Sequence, residues 1–108
     1  MAAFANFDDI RSLAFGGISG AYAAVGTPTS VLTRGICFSN DTQGSMIFSN
    51  DLTKDQIFVK AGSFKLWDIQ SNMNAQFDDK CVLAKQMQWY CKQLAAPISG
   101  SVYIEILH

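Results

Sequence analysis

Charge is scarce in this chain of 108 residues: 16% of them are Asp, Glu, Lys or Arg, where an average soluble protein has about 25%. Histidine occurs once, as His108, glutamate once, as Glu105, and arginine only at Arg11 and Arg34. With a net charge of −1 and two guanidinium groups there is no field to attract a polyanion, so direct nucleic-acid binding is not expected. A base that must hold a nucleophile within hydrogen-bond reach is poorly served by a histidine at position 108, and no carboxylate pair with catalytic spacing stands out. Asp8–Asp9 and Asp78–Asp79 read more simply as solvated surface. Gly16, Gly17 and Gly20 are not followed by the Lys-Ser/Thr of a phosphate-binding loop. The sequence therefore predicts no enzyme, no catalytic residues and no cofactor.

Cysteine is limited to Cys37, Cys81 and Cys91, an odd number without a Cys-x-x-Cys or Cys/His pair. That excludes a disulfide scaffold and a zinc site of the usual spacing. Cys37 and Cys91 lie in apolar, strand-like surroundings and read as small buried hydrophobes of a protein folded in a reducing compartment. A cysteine nucleophile is the sharper alternative. Residues 12–33 carry no charge, yet Gly16, Gly17, Gly20, Gly26 and Pro28 interrupt them, so no membrane span is expected. The first charges are Asp8 and Asp9 rather than a basic cluster, which argues against a secretory signal.

What remains is a chain 49% hydrophobic and long enough to bury about 65% of its unfolded surface, sufficient for one core without metal or disulfide. Phe7, Ile10, Leu13 and Ala14 recur at spacings of three and four, with Asp8 and Asp9 near the start. This pattern predicts a short helix over residues 5–15, ended by Gly16 and Gly17 and followed by an extended arm to Pro28. From residue 29 onward β-branched and aromatic runs alternate with Asn, Asp and Gly turns. Strands are predicted at 29–39, 45–49, 56–60, 63–69, 86–93 and 101–107, with a loop over 70–80 and a turn around Pro97 and Gly100. In the last run Val102, Ile104 and Ile106 share one face. The fold class expected is all-β: a small antiparallel β-sandwich of jelly-roll or immunoglobulin-like size over 29–108, preceded by the helix and arm of 1–28.

Phe38-Ser39-Asn40-Asp41 recurs as Phe48-Ser49-Asn50-Asp51, which two strand ends with Asx turns explain. A calcium loop using Asp41, Asp51 and Asp55 is the sharper alternative, but the acidic density of an oxygen cage is missing and no metal is expected. Trp67, Trp89, Tyr90 and Tyr103 fall in predicted strands. They suit a core or a subunit interface, and Trp67, Trp89 and Tyr90 alternatively suit a platform for stacking a sugar.

The runs Gly20-Ala21-Tyr22-Ala23-Ala24-Val25-Gly26-Thr27-Pro28, Met46-Ile47-Phe48-Ser49-Asn50-Asp51, Ile57-Phe58-Val59-Lys60-Ala61-Gly62-Ser63-Phe64-Lys65-Leu66, Trp89-Tyr90-Cys91-Lys92 and Ser99-Gly100-Ser101-Val102-Tyr103-Ile104-Glu105, in this order, resemble small virion proteins of tailed bacteriophages. The resemblance spans roughly residues 20–107. It implies a structural protein made in the host cytoplasm and placed in the virion, in multiple copies, on the capsid, at the head-tail junction or on the tail. Its partners would be copies of itself and other virion proteins, with Phe4, Phe7, Ile10, Leu13, Phe15 and Tyr22 of the helix and arm in the subunit contacts. The competing expectation is a carbohydrate- or receptor-binding β-sandwich module.

Overall fold

The computed structural model describes residues 7–29, 33–68 and 86–107. Eight strands form in them: β1 (Arg11–Ala14), β2 (Ala23–Ala24), β3 (Gly35–Thr42), β4 (Met46–Ser49), β5 (Ile57–Val59), β6 (Phe64–Asp68), β7 (Tyr90–Gln93) and β8 (Gly100–Leu107). The protein is all-β, and its two four-stranded sheets, ordered β1-β8-β3-β6 and β2-β7-β4-β5, are antiparallel throughout.

In the first sheet β3 is central. Its register sets Ile36 beside Ile106 and Phe38 beside Ile104, and because opposed residues in an antiparallel pair share a face, all four point the same way. The second sheet supplies Met46, Phe48, Val59 and Cys91 to the same buried cluster. The Phe38 ring from one sheet lies 5.1 Å from the Phe48 ring of the other and 4.9 Å from Trp89. Burial of aromatic and aliphatic side chains of this size stabilises by about 1.5–3 kcal/mol each, which makes this cluster the main attraction between the sheets.

The predicted helix over 5–15 is corrected within the described residues. Residues 11–14 are strand β1, paired with Ile104 to Ser101 of β8, and the only helical geometry among the described residues is one 3₁₀ turn at Phe15–Gly17. Residues 5 and 6 lie outside the described residues. Helical spacing of Phe7, Ile10, Leu13 and Ala14 was the wrong period to read, because Arg11 faces inward with Leu13 while Ser12 and Ala14 face outward. An edge of β8 offered a ladder of backbone partners that a marginal eleven-residue helix cannot match.

The expected arm is also corrected. Ala23 and Ala24 pair with Cys91 and Tyr90, the Val25 amide donates to the Trp89 carbonyl at 2.9 Å, and Ile18 and Val25 are buried in the core. Arg11 fixes this segment. Its guanidinium donates to the carbonyls of Thr27 (2.8 Å), Asp9 (2.9 Å) and Pro28 (3.3 Å) and to the Asp8 carboxylate (3.1 Å). Gly26, at φ 67°, passes so close to the Arg11 stem that an added Cβ would sit 2.8 Å from its Cγ.

Candidate interaction surface

The first sheet has a second face, opposite the core. By register it carries Phe64 and Leu66 from β6, Cys37 and Ser39 from β3, and Tyr103, Glu105 and Leu107 from β8. Phe7 extends the row through a bridge to Leu107. Phe64 is 66% exposed, Leu66 67% and Phe7 75%. Between them runs a depression of about 190 Å³ lined in part by Phe7, Cys37, Leu66 and Glu105. Large apolar side chains cluster at the β6 end of this face, and its charged strand residues between the edges are Glu105 on β8 and Asp41 at the far end of β3. Large contiguous apolar surface of this kind on a small domain marks a contact site.

The second sheet's outer side is polar where Tyr22, next to β2, and Asp55, in the loop before β5, meet Lys92 of β7. Lys92 on β7 lies 2.7 Å from the Asp55 carboxylate and 4.8 Å from the centre of the Tyr22 ring, and the Tyr22 hydroxyl donates to Asp55. The hydrogen bonds from Lys92 and then Tyr22 hold the Asp55 carboxyl below its ordinary range. Desolvation first, and Asp55 second, push the Tyr22 phenol up to about 12. This is a closed set of mutual partners rather than a site poised for proton transfer.

A wide depression of about 750 Å³ lies beside Asn50, Asp51, Gln86, Met87 and Tyr90. The carboxylate among its described lining residues, Asp51, accepts from the Thr53 amide and hydroxyl at 2.9 and 2.7 Å, which lowers its pKa. Among the described residues no cysteine, serine, lysine or histidine lines it. Asp41, Asp51 and Asp55 do not converge, since Asp51 turns to Thr53 and Asp55 to Lys92. Among the described residues no three His, Cys, Asp or Glu side chains cluster as metal ligands.

Comparison with family models, with curated proteins and with solved structures finds no match to this chain. The reading of the surface therefore rests on its own residues.

Of the residues expected in subunit contacts, Phe7, Ile10 and Phe15 are exposed. Leu13 instead packs against the core, Tyr22 is held by Lys92 and Asp55, and Phe4 lies outside the described residues. The sugar platform is not assembled as expected. Trp89 is 4% exposed and edge-on to Phe38, so it offers no ring face for stacking. Trp67 stands on β6 of the first sheet and Tyr90 on β7 of the second. Trp89 is inward because the core needed a large group beneath Phe38; strand propensity alone could not tell its side. Sequence reasoning missed Phe64 and Leu66 as contact residues. Their signal was present as two large apolar residues at spacing two in a strand whose alternate residues are Lys65 and Trp67.

Cys91 is fully enclosed, and burial pushes its thiol up to about 12, leaving it inert as a nucleophile. Cys37 lies 3.8 Å from the Ser39 hydroxyl. Cys81, His108 and the loop over 70–85 lie outside the described residues. No helix among the described residues is long and apolar enough to cross a membrane.

Proposed function

We propose that this protein is a structural subunit, a small β-sandwich that works by assembling in multiple copies, and that its assembly belongs to the virion of a tailed bacteriophage. The observation that carries the assembly reading is the apolar outer face of the β1-β8-β3-β6 sheet, with Phe7, Phe64 and Leu66 in solvent. The resemblance of residues 20–107 to small phage virion proteins supports the virion assignment, and the scarcity of charge fits a surface covered by neighbours. The partners are further copies of the chain and other virion proteins.

Sedimentation and electron microscopy of the purified protein test this reading. A ring or array of defined copy number is expected, and Phe7→Asp together with Tyr103→Lys, both on the outer face, should break it while thermal unfolding stays close to that of the parent. A protein that stays monomeric at the highest concentration it tolerates overturns the proposal. Deleting residues 1–28 is a poor test, because it removes β1 and β2 from the sheets.

A further inference from the structure

The β6 strand is an edge. It pairs with β3 on one side, and no strand among the described residues pairs with the other. An edge row of amides and carbonyls invites another strand, and β6 carries Lys65 and Asp68 among large apolar side chains. Here five residues, Phe64-Lys65-Leu66-Trp67-Asp68, contain three exposed large hydrophobics, Trp67 being 50% exposed.

The hydrogen-bond phase of this edge is fixed by its ladder with β3. The Asn40 amide donates to the Ser63 carbonyl at 2.8 Å, and hydrogen-bonded pairs alternate along an antiparallel ladder. Ser63, Lys65 and Trp67 therefore direct their peptide groups to β3. Phe64, Leu66 and Asp68 direct theirs to the open side.

We propose that two copies of this chain join edge to edge through β6, antiparallel, about a two-fold axis at Leu66, making one continuous sheet from two. The proposal deepens the assembly reading above and rests on it. A two-fold at Leu66 pairs Leu66 with Leu66 of the second copy and Phe64 with Asp68, so every outward peptide group of the strand meets an outward peptide group. The residues between, Lys65 and Trp67, then face each other in the closer, non-hydrogen-bonded positions, and they do so twice. An ammonium placed against an indole is an attractive cross-strand pair. In the single chain the Lys65 ammonium lies over the Phe58 ring, 5.9 Å from its centre. Shifting the register so that Phe64 meets Leu66 keeps the hydrogen-bond phase but sets Lys65 against Lys65, a like-charge pair. The Lys65–Trp67 contact thus favours the Leu66 axis over the Lys65 axis, and because the strand complements itself about that axis, the occupant it fits is a second copy.

Cysteine cross-linking reads the register directly. Lys65→Cys and Trp67→Cys chains are prepared separately, mixed, oxidised, and the linked peptides are mapped by mass spectrometry so that links through native cysteines are set apart. In a mixed dimer positions 65 and 67 of the two copies are opposed, while the other Lys65–Trp67 pair stays intact. A covalent dimer joined between positions 65 and 67 is expected from the mixture, and neither chain alone should give a link at its new cysteine, because like positions lie diagonally apart and beyond disulfide reach. A 65-to-65 link from Lys65→Cys alone overturns the register. An oligomer that forms without any 65-to-67 link overturns edge pairing and leaves assembly through the outer face standing. A parent protein that is monomeric throughout overturns both.

Discussion

The side-chain amide of Asn40 donates to the main-chain carbonyl of Val59 at 3.1 Å, so one residue of β3 holds its sheet to β5 of the other. The same nitrogen reaches the carbonyls of Gly44 (2.8 Å) and Lys60 (3.2 Å), and the side-chain oxygen accepts from the Thr42 amide and hydroxyl at 3.1 and 2.6 Å. At 1% exposure no water can replace these partners.

Asn40→Ala should therefore cost about 3 kcal/mol, since it strands several buried carbonyls and an amide at once. Asn40→Asp should cost more at neutral pH, because a carboxylate has no proton for those carbonyls. Urea unfolding of the three proteins checks the order, and the Asp variant should recover part of the difference in acid as its carboxyl regains a donor. Equal midpoints for all three would remove Asn40 from its role as a tie.

Arg11 makes a comparable prediction for the segment between β1 and β2. Arg11→Lys keeps the charge but loses the planar fork that meets several carbonyls together, for a loss of about 1–2 kcal/mol; Arg11→Ala should lose about 3 kcal/mol. Limited proteolysis should open residues 15–28 first in both variants. Resistance equal to the parent's would show that the core contacts of Ile18 and Val25 suffice.

The two tryptophans should be separable by fluorescence. With Trp89→Phe, the remaining Trp67 should emit at long wavelength and be quenched readily by acrylamide in dilute solution. With Trp67→Phe, the remaining Trp89 should emit at short wavelength and resist quenching. Accessible emission from Trp89 would restore the sugar-platform reading that its burial removes.

Stability should fall on the alkaline side. Tyr22 and Cys91 have folded pKa values raised to about 12, from 10.0 and 9.0, so the fold retains their protons where the unfolded chain releases them. Their contribution is whole below about pH 9 and is lost as pH climbs toward 12. Tyr22→Phe should flatten the part of this decline above pH 10. In acid the sign reverses: Asp51 and Asp55 are held below 3.8, so what they contribute is present above that value and disappears as pH drops through their folded pKa values. Denaturant midpoints across the pH range would show both slopes, and a profile flat above pH 9 would contradict the first.

Where alternation was long enough, the sequence was readable. Val102, Ile104 and Ile106 are buried together as their spacing predicts, and β4, β5 and β6 fall within the expected runs. The strand expected over 86–93 begins only at Tyr90, and the one expected over 29–39 is found at Gly35–Thr42. In the second case Asn40 looked like a turn residue, as Asn50 and Asp51 are, but its side chain satisfies a buried knot and keeps the strand running to Thr42. β1 and β2 were illegible for a different reason. Four and two residues hold too little pattern, and the partner that makes each a strand is about seventy to ninety positions away in the chain. The contact surface was half visible: the apolar residues could be counted, but which of them face water depends on sheet register.

The bridge from Phe7 to Leu107 and the β1–β8 ladder close the first sheet with residues far apart in the sequence. β3, its central strand, likewise waits for β8. On a ribosome the first sheet therefore has no complete form until residue 107 has left the exit tunnel, and the inward faces of β3 and β4 stay uncovered until then. Folding of this molecule therefore waits on β8, at a contact order high enough to make it slow, and the nascent chain is the state most exposed to wrong partners.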